Sequence, residues 1–276
     1  RETRVTLETD EGGVRVVARY AGAAPSQHFE HLFVLHVPRR QNIRVLSASG
    51  PIHICGLQGK FVGATGTGDF VAERTYGYVE FETGGGAIRI VDSDISGSLR
   101  TGRGDVTILA AHTGVAADRA VPGTPAGKVP SRLAVRTGHG DINIGPLAGT
   151  ADIWTGRGNV AVMIAGVGDP FIDIFSGTGR VVLDVPLGIS AQFDLETAYT
   201  RAAPAPTRIE SAIPLVISAT EEWDPSRETP RRYIWGGSAT GEGQGLVRVR
   251  TVNGDIVVRQ ATTPARGNHS SLQKPA

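Results

Sequence analysis

Cysteine and methionine each occur once in 276 residues, and aromatic residues make up only 6%. No apolar run approaches the ~20 residues that span a bilayer as a helix. A lone Cys55 excludes an internal disulfide and any cysteine-rich zinc site. Charge of one sign is lacking too: 28 Lys and Arg stand against 27 Asp and Glu, a net +1. That balance supplies no global attraction to a polyanion, so nucleic acid is not an expected partner. With few aromatics, a 40% hydrophobic content has to pack through small and β-branched residues, which points to β-structure rich in turns. The sequence begins at Arg1 rather than Met, so a processed chain is expected.

Glycine is what the chain has in excess, 37 residues, and much of it falls in phase. Related turns start at residues 47, 65, 83, 101, 137 and 155, reading SASGPI, TGTGDF, TGGGAI, TGRGDV, TGHGDI and TGRGNV. The steps are 18 residues or twice 18, and later copies read SGTGRV from Ser176 and TVNGDI from Thr251. Such a fixed phase marks a repeat architecture. Apolar pairs that skip one residue follow each turn, as in Ile88 and Ile90 or Ile142 and Ile144. Others precede it, as in Val79 and Phe81 or Leu133 and Val135. This is the period-2 signature of strands with one face buried. A two-strand unit cannot bury its own apolar face, but units stacked ~4.8 Å apart build a continuous core. The expected fold is therefore all-β, a β-solenoid of ~18-residue coils with parallel β-helix character.

The turn positions have mechanical readings. Glycine at the fourth position suits a corner with positive φ or close backbone approach. Thr or Ser at the first position points inward, where its hydroxyl can bond turn backbone or neighbouring hydroxyls. Asp at the fifth position, as in Asp69, Asp105 and Asp141, is expected to close its own turn. The tripeptide Arg103-Gly104-Asp105 is then one repeat turn rather than an attachment motif. A phosphate loop is excluded because no Gly-Lys-Ser/Thr follows the glycines.

These TGxGD turns, with LDVPLGISAQFDLET from Leu183 and GLVRVRTVNGDIVV from Gly245, resemble the bacterial adhesin-like β-solenoid family, largely domains of unknown function. VTLETDEGGVRVVARY and FVLHVPRRQNIRVLSASG fit the entry strands of such domains, and the resemblance runs from Val5 to Arg259. It implies a non-enzymatic, often envelope-associated module and offers no catalytic motif to carry over. The expected localisation is extracytoplasmic.

Several segments depart from the phase. Residues 1–45 read as antiparallel strands capping the first coil. The Pro- and Gly-rich stretch 114–131 interrupts the repeat, and the sequence leaves open whether 101–136 holds one coil with a loop or two coils. The tail 260–276 has no periodicity and is expected to be disordered. Residues 200–243 form a long lateral insertion whose EEWDPSRETPRRYIW carries two of the three tryptophans.

Candidate binding residues follow from these columns. Trp154 and Phe175 occupy the outward position before the turn, in a row with Glu82, Arg100, Arg136 and Glu196. The favoured expectation is that the insertion covers them. The sharper one is an open aromatic face in which Trp154, Phe175, Trp223, Tyr233 and Trp235 recognise a cell-surface glycan or an envelope protein. Arg103, His139 and Arg157 recur at the third turn position and could hold an anionic sugar or phosphate, with Asp105 and Asp141 largely neutralising them.

Chemistry beyond binding is poorly supported. His28, Glu30, His31 and His36 lack HExxH spacing, and alternation splits His28 from His31, so no metal site is expected. The nonapeptide calcium β-roll and the hexapeptide acyltransferase patterns both differ from this unit. A polysaccharide-active enzyme is the distant alternative, since it needs clustered carboxylates in a cleft. The expectation is a non-catalytic structural or adhesin-like module without a cofactor.

Overall fold

The structure, a computed structural model, describes residues 3–10, 13–20, 32–113, 132–165, 169–240 and 245–261. The chain divides into two compact units, Arg1–Val37 and Pro38–Ala276. In the first, β1 (Thr3–Asp10) and β2 (Gly13–Tyr20) pair antiparallel, Thr3 opposite Tyr20.

The second unit holds two mostly parallel sheets, of eleven and nine strands, and among the described residues it has no helix. From β3 (Ile43–Ser47) and β4 (Ile52–Cys55) onward the chain alternates between them. The larger sheet takes β5 (Gln58–Thr65), β7 (Tyr76–Thr83), β9 (Asp94–Arg103), β11 (Arg132–His139), β13 (Thr150–Arg157) and β15 (Phe171–Ser176). The smaller takes β6 (Phe70–Glu73), β8 (Ile88–Val91), β10 (Val106–Thr113), β12 (Ile142–Leu147), β14 (Val160–Ile164) and β16 (Val181–Val185). The arrangement is consistent with a parallel β-helix. Between the sheets the apolar pairs form ladders in register, such as Ile90, Ile108, Ile144 and Val162, each at most 1% exposed.

The open stretch is one stacking step. Thr137 lies against Thr101 and Ile142 against Val106, so the strands before and after the extra length pair directly, with a register shift between Leu109 and Thr113. Residues 114–131 lie outside the described residues, as does the tail beyond 261.

The turns hold the coils together in a way only partly foreseen. The buried hydroxyl of Thr83 donates to the Gly68 carbonyl of the preceding coil at 2.9 Å and accepts from its own Gly86 N–H at 3.1 Å. The bond to the preceding coil recurs at Thr101, Thr137, Thr155, Ser176 and Thr251. Asp at the fifth position does not close its own turn as expected. Asp105 Oδ1 accepts the Asp141 N–H at 2.8 Å and Asp141 Oδ1 the Asn159 N–H at 2.7 Å, so each carboxylate staples the next coil. The next coil's N–H points along the stack, within reach of a short side chain. Replacing Asp141 with Ala is expected to cost about 1 kcal/mol. The urea midpoint measures it, and an unchanged midpoint would show that the staple carries no net stability.

The far end departs most from expectation. β17 (Ala191–Thr200) follows β16 in the chain, yet β21 (Gly245–Val252) lies between β15 and β17, parallel to both. Likewise β22 (Ile256–Gln260) lies between β16 and β18 (Ile209–Ser211). The outward charges agree with this order. Arg248 of β21 stands between Asp173 and Asp194, with Nε 2.9 Å from Asp194 Oδ2. The Asp194 hydrogen bond, and then the Asp194 and Asp173 charges, hold its guanidinium above the usual arginine range. Direct stacking of β17 on β15 would oppose Asp194 to Asp173, which already faces Asp152 on its other side, and so extend a like-charge run. The segment 200–243 is accordingly not a lateral insertion. It supplies β18 to the end of one sheet, and antiparallel β20 (Arg231–Thr240) and β19 (Val216–Ala219) to the end of the other. Antiparallel closing strands do not share the 18-residue period, which is why they read as an interruption.

Candidate functional site

Strand alternation sends every second side chain of the larger sheet outward, and parallel register lines these into columns. The column one residue before the turn runs Glu82, Arg100, Arg136, Trp154, Phe175, Arg250, Glu196 and Trp235. Trp154 and Phe175 are neighbours as expected, their ring centroids 6.2 Å apart and planes 11° from parallel. They are not covered by the 200–243 segment: Trp154 remains 40% exposed, and Phe171, opposite Thr150 at the start of the same strand pair, 47%. The segment builds sheet edge at the end of the stack instead of folding back over this face.

Its own aromatics are engaged elsewhere. Trp223 meets the edge of Tyr199 at 5.6 Å, with the guanidinium carbons of Arg201 and Arg232 at 5.3 and 5.0 Å from its ring. Tyr233 and Trp235 stack at 5.7 Å, and the Trp235 indole N–H donates to Glu196 Oε2 at 3.2 Å. Arg250 and Glu196 separate this second pair from Trp154 and Phe175 in the column. The five aromatics therefore do not form one patch.

Arg103, His139 and Arg157 do come together, opposite one another on β9, β11 and β13, and all are exposed. Asp105 and Asp141 form no ion pair with them among the described residues, and each uses one carboxylate oxygen to accept from the next coil's backbone. Sequence reasoning placed Arg100 and Arg136 in the outward row but missed that they border this group. Among the described residues, none of Arg100, Arg103, Arg136 and Arg157 forms an ion pair.

Between the two columns run Gly102, Gly138 and Gly156, so the strip between them carries no side chains. Stacking requires this, since a Cβ on Gly138 would stand 2.5 Å from the Gly102 carbonyl oxygen. The far edge of the Trp154 ring reaches over the strip, with Cη2 3.3 Å from where a Gly156 Cβ would lie.

The smaller sheet has a shallow depression bordered by Asp105, Asp141, Asn159 and Arg180, with Thr107 and Asn143 on its floor. His28, Glu30 and His31 lie outside the described residues. Among the described residues, no group of three or more His, Cys, Asp or Glu is placed to hold a metal ion, and no helix is long and apolar enough to cross a membrane. Comparison with protein-family profiles, with characterised proteins and with solved structures returned no match.

Proposed function

We propose that the chain is a β-solenoid of ~18-residue coils acting as a non-catalytic, adhesin-like module of the bacterial cell envelope, outside the cytoplasm. The resemblance of its TGxGD turns to adhesin-like solenoids supports the reading, and so do the regular outward columns of the larger sheet. The observation that carries it is the open aromatic pair: Trp154 is 40% exposed on that face and the 200–243 segment stands clear of it. A purely structural spacer gains nothing from an indole left in water, whereas a binding surface uses it as an anchor.

Binding of the intact protein and of Trp154→Ala to envelope fractions and a glycan panel tests this. An anchoring aromatic contributes about 2 kcal/mol or more, so the variant is expected to bind about 30-fold more weakly at an unchanged melting temperature. Equal binding by the two proteins would remove Trp154 from the surface, and no binding by either would favour a spacer.

A further inference from the structure

We infer that the outer corner of β9, β11 and β13 is a binding site for a linear acidic polysaccharide, one carrying a carboxylate on successive sugars. The inference rests on the adhesin-like reading and names the ligand class for that face. Its basis is a two-by-three grid in register: Arg100, Arg136 and Trp154 along one column, Arg103, His139 and Arg157 along the other. All six are exposed, and the glycine strip between the columns leaves a track running along the stack.

The charge pattern argues for a missing partner. Elsewhere on the same face Arg132 meets Asp152 and Arg248 meets Asp194 across strands, while the one direct carboxylate pair among the described residues, Asp152 opposite Asp173, is flanked by these two arginines. Within the grid Arg100 is directly opposite Arg136, a like-charge cross-strand pair that costs stability. Glu82 faces Arg100 from the other side, but among the described residues no carboxylate lies within ion-pair distance of either arginine. An anion lying along the track would relieve that repulsion. The guanidinium fork matches a carboxylate in bidentate fashion, and columns repeating every ~4.8 Å suit a polymer with regularly repeated charge. Trp154 at the end of one column adds a surface for the apolar face of a sugar ring. A single indole on the grid, and a net charge of only +1, fit a glycan better than single-stranded nucleic acid, whose sites stack successive bases on several aromatics.

The test is binding of the full chain to polygalacturonate, to neutral dextran and to a single-stranded oligonucleotide, at low and moderate salt. The paired variants are Arg100→Gln with Arg136→Gln, and Arg103→Gln with Arg157→Gln. All four positions are exposed, and an unchanged melting temperature confirms folding. The site predicts polygalacturonate binding that weakens with salt, no dextran binding, and a loss of about tenfold in each paired variant. Tighter binding of the oligonucleotide at equal charge would replace the ligand class with nucleic acid. Polygalacturonate binding unchanged in both variants would place its site elsewhere. Failure to bind polygalacturonate, alongside envelope binding that Trp154→Ala abolishes, would overturn this inference and leave the adhesin-like reading standing; failure to bind anything would overturn both.

Discussion

Replacing Ile144 with Asp is expected to unfold the stack around β12. Ile144 is 1% exposed and lies in register between Ile108 and Val162, so a carboxylate there has apolar neighbours above and below. An unpaired charge in such a place costs several kcal/mol, comparable with the ~5–15 kcal/mol that holds a typical domain folded. Coils that stack only on their neighbours cannot bypass a damaged rung, so the loss spreads to both sides. Ile144→Val leaves the ladder dry and is expected to cost only about 0.5–1.5 kcal/mol. Thermal unfolding of the two variants gives the comparison; a melting temperature for Ile144→Asp close to the parent's would contradict the inward assignment.

Gly140→Ala is expected to destabilise by about 3 kcal/mol, through overpacking of backbone against backbone. Its added Cβ would stand 2.1 Å from the Gly104 carbonyl oxygen and 2.5 Å from the carbonyl carbon. Neither can rotate away, because the neighbouring coil fixes both. Gly85, in the third position of an equivalent turn, has nothing within 4 Å of an added Cβ. Gly85→Ala is therefore expected to be neutral, or to stabilise by about 0.4–1 kcal/mol through the unfolded chain. Denaturant midpoints for the pair separate a need for close approach from a general preference for glycine in turns. Equal effects at both positions would sink the distinction.

The inward ladders were legible because their signal is local: a pair of apolar residues at fixed offset from TGxG recurs, and only one face of the strand can satisfy it. The inward Thr was legible for the same reason. The staple made by Asp141 was not. A short carboxylate can reach its own turn or the next coil's N–H, and only the spacing of the stack decides between them. Nor was the order of the last strands. TVNGDI carries the same turn pattern as the other copies, but it falls out of the 18-residue phase and nothing in it names the neighbour it stacks on; that is decided between strands distant in sequence, where Arg248 meets Asp173 and Asp194.

The candidate site was legible as columns and not as a surface. Trp154 beside Phe175, and Arg103 beside His139, followed from the repeat alone. Whether the aromatic pair was covered depended on where residues 200–243 go, and those residues lack the period that would have placed them. Arg100 and Arg136 joined the third-position group only once the turn geometry set the two columns on either side of a glycine strip.

Disulfide trapping tests the stacking order most directly. In a Cys55→Ser background, Phe171→Cys is paired either with Leu246→Cys or with Gln192→Cys. Phe171 is opposite Leu246, and Leu246 opposite Gln192, so the first pair is one strand apart and the second two. One step of ~4.8 Å lies within disulfide reach and two steps lie beyond it. Rapid cross-linking of residues 171 and 246, with none between 171 and 192, is the predicted result. The reverse pattern would mean that the coils stack in chain order, and would contradict the slotted C-terminal coil.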